Sequence, residues 1–269
     1  MDLELEYNNR LRVPDSAARI AGWARESENF RATWARGTLG IPYGDGARER
    51  LDLFEPEGDG PLAVFIHGGW WQALDRSFVS HLARGLVMRG VAVAMPSYDL
   101  CPAVPLRRIV GQMRAACVAL HRRTGRRLLV AGHSAGGHLA AMLLATDWRA
   151  TDRALPERLV GAALPVSGVF EIEPALATSL GPALNLTPAE ARALSPRHLP
   201  PAPGEVHAVA GEAESAEFIR QTRDFAAAWG ASAEILPGAD HFTVLDPFTD
   251  PDHPLVARAA AMAGRLARG

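Results

Sequence analysis

Apolar residues in this chain gather into short, nearly uninterrupted runs, separated by longer stretches in which they recur every three or four positions. The runs are Leu62 to Ile66 (LAVFI), Val91 to Met95 (VAVAM) and Leu128 to Ala131 (LLVA); Leu159 to Val166 (LVGAALPV), interrupted by Pro165, is a further strand, and Glu205 to Ala210 (EVHAVA) resumes the sheet. Segments of that length without helical periodicity predict strands buried on both faces of a parallel sheet. Between them, Phe78, Leu82, Leu86 and Val87 predict a helix stopping near Gly90. Leu106, Ile109, Val110, Met113, Cys117 and Leu120 predict another, opening at Pro105 with Gly125 as its C-cap. Leu139, Leu143 and Leu144 continue the same rhythm, and Phe218 to Trp229 reads as a further helix. Strand, helix, strand, helix in this order predicts an α/β fold built on a doubly wound, mostly parallel sheet.

The flanks are less regular. From Tyr7 to about Arg36 a loose helical pattern follows the N-cap candidates at Pro14-Asp15-Ser16, and its three asparagines and many charges suit a solvated outer face. Residues 1–40 therefore read as a helical arm on one domain spanning 1–269. Arg48 to Phe54 alternates polar and apolar as an outer strand would, and Pro56 to Pro61 reads as a turn. Phe170 to Pro203, rich in Pro, Ala and Leu with a weak helical beat, is expected to form a small lid over the site (about 170–203). Ala233 to Leu236 is the last short strand, and Leu255, Val256, Ala259, Ala260, Ala263 and Leu266 predict an amphipathic closing helix.

Composition narrows the function classes. The formal net charge is −2 and the arginines are scattered, which argues against nucleic acid and against an electrostatically held membrane partner. Cys101 and Cys117 are the only cysteines, too few for a disulfide framework, and Cys117 falls on the apolar face of its helix. The acidic start MDLELEYNNR is unlike a signal peptide, so a soluble cytoplasmic protein is expected. The histidines are dispersed, with no closely spaced ligand set, so neither metal nor cofactor is expected.

The chemistry centres on Leu128 to Leu139, LLVAGHSAGGHL, in which Gly132-His133-Ser134-Ala135-Gly136 fits G-x-S-x-G between a buried strand and a helix. A sharp turn there lifts the Ser134 hydroxyl clear of the sheet, while the glycines let strand and helix approach closely. A serine hydroxyl needs a base to take its proton and a third group to orient that base. With this arrangement the partners come later in the chain, acid before histidine. His241, just beyond the last strand, is placed as the base, whereas His67 and His133 lie within other motifs and His121 and His198 suit the surface. For the acid, Glu214 and Glu212 compete in Gly211-Glu212-Ala213-Glu214-Ser215; Asp240, adjacent to His241, reads as structural.

A tetrahedral oxyanion must be met by fixed N–H donors, one from Ala135 after the nucleophile and others from the loop His67-Gly68-Gly69-Trp70. Trp70 and Trp71 beside that loop offer an aromatic wall at the mouth of the site, with plain core packing as the alternative for either.

Taken together, these motifs resemble the α/β-hydrolases and, within them, the kynurenine formamidase (arylformamidase) group and its bacterial esterase relatives. His67-Gly68-Gly69-Trp70-Trp71-Gln72 is similar to that group's HGGYWQ, Tyr98-Asp99-Leu100-Cys101-Pro102 to YxLCP, and Gly132 to Leu139 to GHSAGxHL. Gly211 to Phe218 resembles GExDSPEF, and Asp240-His241-Phe242 resembles DHF. The resemblance runs from about residue 62 to 245. It implies Ser134 as nucleophile, Glu214 as acid, His241 as base, and Gly68, Gly69 and Ala135 as oxyanion donors. Two positions depart from the pattern: Glu214 stands where animal members have aspartate, and Trp70 replaces a tyrosine.

The expected function is a serine hydrolase cleaving a small acyl group, specifically an aryl formamide of the N-formylkynurenine type. The alternatives are a carboxylesterase for short acyl esters and a non-catalytic binding module. The expected partners are a small acyl substrate and, at most, a second copy of the chain.

Overall fold

A computed structural model describes residues 2–267. Eight strands form one sheet in the order β1-β2-β4-β3-β5-β6-β7-β8. They are β1 (Gly37–Pro42), β2 (Arg50–Phe54), β3 (Leu62–Ile66), β4 (Ala92–Pro96), β5 (Leu128–His133), β6 (Val160–Val166), β7 (Glu205–Gly211) and β8 (Ser232–Leu236). The β1–β2 and β2–β4 pairings are antiparallel, and every later pairing is parallel. The eleven α-helical segments among the described residues are α1 (Leu3–Tyr7), α2 (Asn9–Arg12), α3 (Ser16–Thr33), α4 (Arg84–Met88), α5 (Leu106–Thr124), α6 (Ala135–Leu144), α7 (Trp148–Thr151), α8 (Gly181–Leu184), α9 (Pro188–Ala193), α10 (Ala216–Ala228) and α11 (Pro254–Ala267).

Successive side chains along a strand point to opposite faces, and here both faces are covered. Leu62, Val64, Ile66, Leu128 and Val130 join the core built with α5, α6 and α10. Ala63, Phe65, Leu129 and Ala131 join the one built with α3, α4 and α11. That double burial is why the runs carry no polar alternation. The α5 expectation is matched closely: it starts after Pro105 and ends at Gly125, which takes φ 69° as a C-cap.

Four expectations need correction. First, β1 begins inside the stretch read as helical arm, whose last four residues, 37–40, belong to the strand. Its GTLGIP has two glycines and a proline, and at its bulge Gly40, with φ 70°, donates to Asp52 Oδ1 at 2.8 Å. Second, β2 is not the outer strand and does not alternate in burial. Asp52 is buried on it because Arg76 Nε meets its Oδ1 at 2.8 Å. Third, Phe78 to Gly90 is not one helix; two 3₁₀ turns, Arg76–Phe78 and Ser80–Ala83, precede the short α4. Fourth, the asparagines do not all face solvent, since Asn9 is buried. The closing helix reaches Ala267, and the last two residues of the chain lie outside the described region.

Candidate active site

The turn between β5 and α6 builds the site. Ser134 has φ 56° and ψ −116°, a backbone conformation that L-residues rarely hold, and its N–H donates to Val166 O at 2.8 Å. Two glycines make this turn possible by letting backbone touch backbone. A Cβ on Gly132 would sit 2.4 Å from Gly136 O, and one on Gly136 would sit 2.0 Å from Ile66 O. The helix is thereby seated against the end of β3, with Ser134 at its N-cap.

Glu214 is buried in the turn after β7 and has both carboxylate oxygens engaged. Oε2 accepts from His241 Nδ1 at 2.7 Å, while Oε1 accepts from Ser167 Oγ at 2.5 Å and from Gly211 N at 2.7 Å. Glu212 is exposed and accepts instead from Gly238 N, so it stays away from His241. Asp240 turns its carboxylate back onto the N–H groups of Phe242 and Thr243. With Nδ1–H given to Glu214, the opposite nitrogen of His241 is free to accept a proton. His133 Nε2–H donates to the His241 carbonyl at 2.7 Å, which fixes the backbone of that residue too.

Ser134 and His241 border the same cavity of about 340 Å³. Among the described residues no hydrogen bond yet joins their side chains; such contacts commonly tighten when substrate arrives.

The expected anion-binding loop lies against the serine. A Cβ on Gly68 would come within 3.1 Å of Ser134 Cβ, and Gly69 has φ 102° with Ala73 O only 2.4 Å from where its Cβ would be. Ala135 is the first residue of α6, where a helix leaves its N–H groups without internal partners. Tyr98 holds this loop from behind: its ring stacks on His67 at 4.2 Å and its OH donates to His67 O at 2.9 Å.

The two tryptophans separate. Trp70 borders the cavity, but Trp71 is 0 % exposed in the core, edge-on to His138, so its expected place at the mouth is corrected. Both residues have positive φ, and the turn this makes sends one indole inward and the other to the cavity.

Sequence reasoning missed several residues. Ser167 follows β6 in a turn that offered no sign of a link to Glu214. The arm supplies Asn8, Asn9, Arg10, Ile20 and Trp23 to the cavity wall, although it lies far away in sequence. From the segment expected to form a lid, Leu180 reaches the cavity and accepts from Gln72 Nε2 through its carbonyl.

Ser167→Ala should lower kcat about tenfold at unchanged KM, because Glu214 Oε1 would keep only the Gly211 N–H and hold His241 less firmly. Steady-state kinetics on one substrate will show it; an equal rise in KM would contradict a positioning role.

Burial also sets the acid sensitivity of the fold. It lowers His67, His81 and His138 to about 4, and it lowers His133 well below the ordinary histidine value, aided by nearby His241. These groups are neutral when folded but take protons below pH about 6.5 when unfolded, so stability is full above that pH and falls as pH drops toward 4. Each buried histidine contributes up to about 1.4 kcal/mol per pH unit in that window. Urea midpoints at pH 7.5, 6 and 5 should fall steadily; a flat profile would mean these rings are protonated in place.

Against known proteins, residues 63–202 match a family model described as the alpha/beta hydrolase fold. A kynurenine formamidase from Salmo salar is 32% identical, the match covering 97% of this chain and 93% of that protein. One from Danio rerio is 30% identical over 98% and 96%. Among solved structures, a thioesterase candidate from Silicibacter sp. TM1040 is 37% identical with a TM-score of 0.88, covering 96% of this chain and 98% of that one.

Proposed function

The chain belongs to the α/β-hydrolase family and is a hydrolase of the kynurenine formamidase-like kind, and from that premise we propose that it is an arylformamidase acting on N-formylkynurenine-type substrates through Ser134, His241 and Glu214. The observation that carries this reading is the near-full-length likeness to kynurenine formamidases. A cavity walled by Trp23, Trp70 and Phe242 supports it, since flat rings suit an aromatic leaving group.

In this mechanism His241 takes the Ser134 proton as the oxygen attacks the formyl carbon, and Glu214 holds the resulting imidazolium through Nδ1–H. The backbone N–H groups of Gly68, Gly69 and Ala135 meet the oxyanion. His241 then gives its proton to the aniline nitrogen as the C–N bond breaks, leaving a formyl ester on Ser134. Water, deprotonated by His241, attacks that ester, and His241 returns the proton to Ser134 Oγ as the ester C–O bond breaks, releasing formate and restoring the serine. Glu214 is one methylene longer than aspartate, and the additional bonds from Ser167 and Gly211 compensate by fixing its carboxylate.

The second reading, hydrolysis of short acyl esters, is favoured by the thioesterase candidate, whose likeness is equally complete. Acyl length separates the two. N-formylkynurenine and formanilide should be cleaved with release of formate, and rates should fall sharply from formyl to acetyl to butyryl. Turnover of p-nitrophenyl acetate with N-formylkynurenine left intact would transfer the protein to the esterases.

A further inference from the structure

The loop assigned the oxyanion donors holds an unfavourable backbone. Gly69, Trp70, Trp71 and Leu74 have φ of 102°, 54°, 57° and 69°, and three of the four carry side chains. A Cβ crowds the backbone in that region, so such a run persists only where surrounding contacts over-determine it. Within the loop, the N–H groups of Gln72 and Ala73 both donate to Gly69 O, at 2.9 and 3.0 Å. Three further carbonyls are held from outside. His67 O accepts from Tyr98 OH at 2.9 Å, Trp71 O from Cys101 N at 2.7 Å, and Leu74 O from Arg48 Nη2 at 2.6 Å.

Arg48, half-buried in the turn between β1 and β2, joins this loop to the segment behind it. Its Nε donates to Tyr98 O and its Nη2 to Leu74 O, each at 2.6 Å. These donors lie along one edge of a planar, permanently charged guanidinium, so the two carbonyls are held at a fixed separation by bonds stronger than neutral ones. The turn that carries Arg48 is itself firm. Glu49 N donates to Gly46 O at 3.0 Å, Gly46 N donates to Glu49 Oε2 at 2.6 Å, and Tyr43 OH donates to Ser97 O. The hairpin therefore grips residues 97–98 twice, and Tyr98 in turn holds the His67 carbonyl and stacks on its ring.

We propose that Arg48 is the positioning residue of the oxyanion loop, acting at both of its ends: on Leu74 O directly, and on His67 O through Tyr98. Held in this way, the N–H groups of Gly68 and Gly69 stay aimed at the charge that forms as Ser134 attacks, with no reorganisation left to the moment of reaction. The loop now packs so closely that a Cβ on Gly68 would lie 3.1 Å from Ser134 Cβ. Without the guanidinium, Leu74 and the two tryptophans relax toward negative φ and the glycines move off the serine. Arg48 does not border the cavity, so its effect travels through the loop alone. The inference rests on Gly68 and Gly69 as oxyanion donors, and not on which acyl group is cleaved.

The test compares wild type with Arg48→Met, which keeps an unbranched chain but neither donor, and with Arg48→Lys, on formanilide and on p-nitrophenyl acetate. Inhibition by trifluoroacetophenone is measured alongside, because its adduct with Ser134 places an oxyanion in the same loop. Arg48→Met should lower kcat about thirtyfold at unchanged KM, short of the hundredfold or more that removal of one donor costs, and should weaken the ketone by a similar factor. Arg48→Lys should recover part of both. If Arg48→Met does not fold, Arg48→Lys decides, by whether its losses in kcat and in ketone inhibition match. Turnover within threefold of wild type in folded Arg48→Met, a KM that rises as much as the ketone constant, or a lowered kcat with ketone inhibition unchanged would overturn the clamp. Inert formanilide with Arg48-dependent cleavage of p-nitrophenyl acetate would remove the arylformamidase reading and keep the clamp, since either acyl group forms an oxyanion. A ketone that fails to inhibit wild type would remove the oxyanion assignment and the clamp with it.

Discussion

Ser134→Ala is expected to lower kcat about ten-thousandfold or more while the folded protein stays as stable as wild type. In the proposed mechanism the hydroxyl forms the covalent bond, so its loss would not be offset by the proposed oxyanion donors, which stabilise charge but do not attack. Stability should be spared because the Ser134 side chain makes no hydrogen bond among the described residues, and alanine fits the same volume without it. A fluorophosphonate probe should label wild type at this residue and leave the variant unlabelled. Two results together would remove Ser134 from the reaction: residual turnover within tenfold of wild type, and labelling undiminished in the variant. Loss of activity with a lowered melting temperature would instead point to damage at the turn.

The largest effect on stability is expected at Gly136. Its missing side chain leaves room for Ile66 O, which would lie 2.0 Å from an added Cβ, with His67 O at 2.7 Å. Both obstacles are backbone atoms of β3 and the loop after it, so no rotamer change relieves the clash; α6 would have to move away from the sheet. Gly136→Ala should therefore cost about 3 kcal/mol or more, at the upper end of overpacking penalties. It should also misplace Ser134, which sits two residues earlier in the same turn. Chemical denaturation should show a shifted midpoint with kcat falling alongside it. Gly111→Ala is the comparison, since no atom lies within 4 Å of a Cβ there and α5 should gain from the exchange. Equal stability of the two variants would contradict the close contact of helix and strand.

Much of the fold was legible because it depends on local pattern. LAVFI, VAVAM and LLVA had to be double-covered strands, since no exposed face would tolerate such runs, and α5 announced itself by spacing and by a terminal glycine. The elements misread in the chain are those whose character comes from partners elsewhere. Strand β1 begins inside the stretch expected to close the helical arm, yet it pairs along β2 and anchors its bulge on Asp52. Asp52 looks solvent-facing, yet Arg76 removes that need.

The candidate site divides along the same line. The strand-turn-helix around Ser134 and the glycines of its loop are short-range features, because sharp turns and close backbone approaches restrict the residues that can form them. Which glutamate meets His241, how Ser167 and Gly211 hold it, which tryptophan reaches the cavity, and the presence of Asn9 and Arg10 in its wall depend on segments up to about 230 residues apart. Local propensities carry no information about such meetings. The sheet decides them, by bringing the ends of parallel strands to one edge, and the packed arm then closes what the strands leave open.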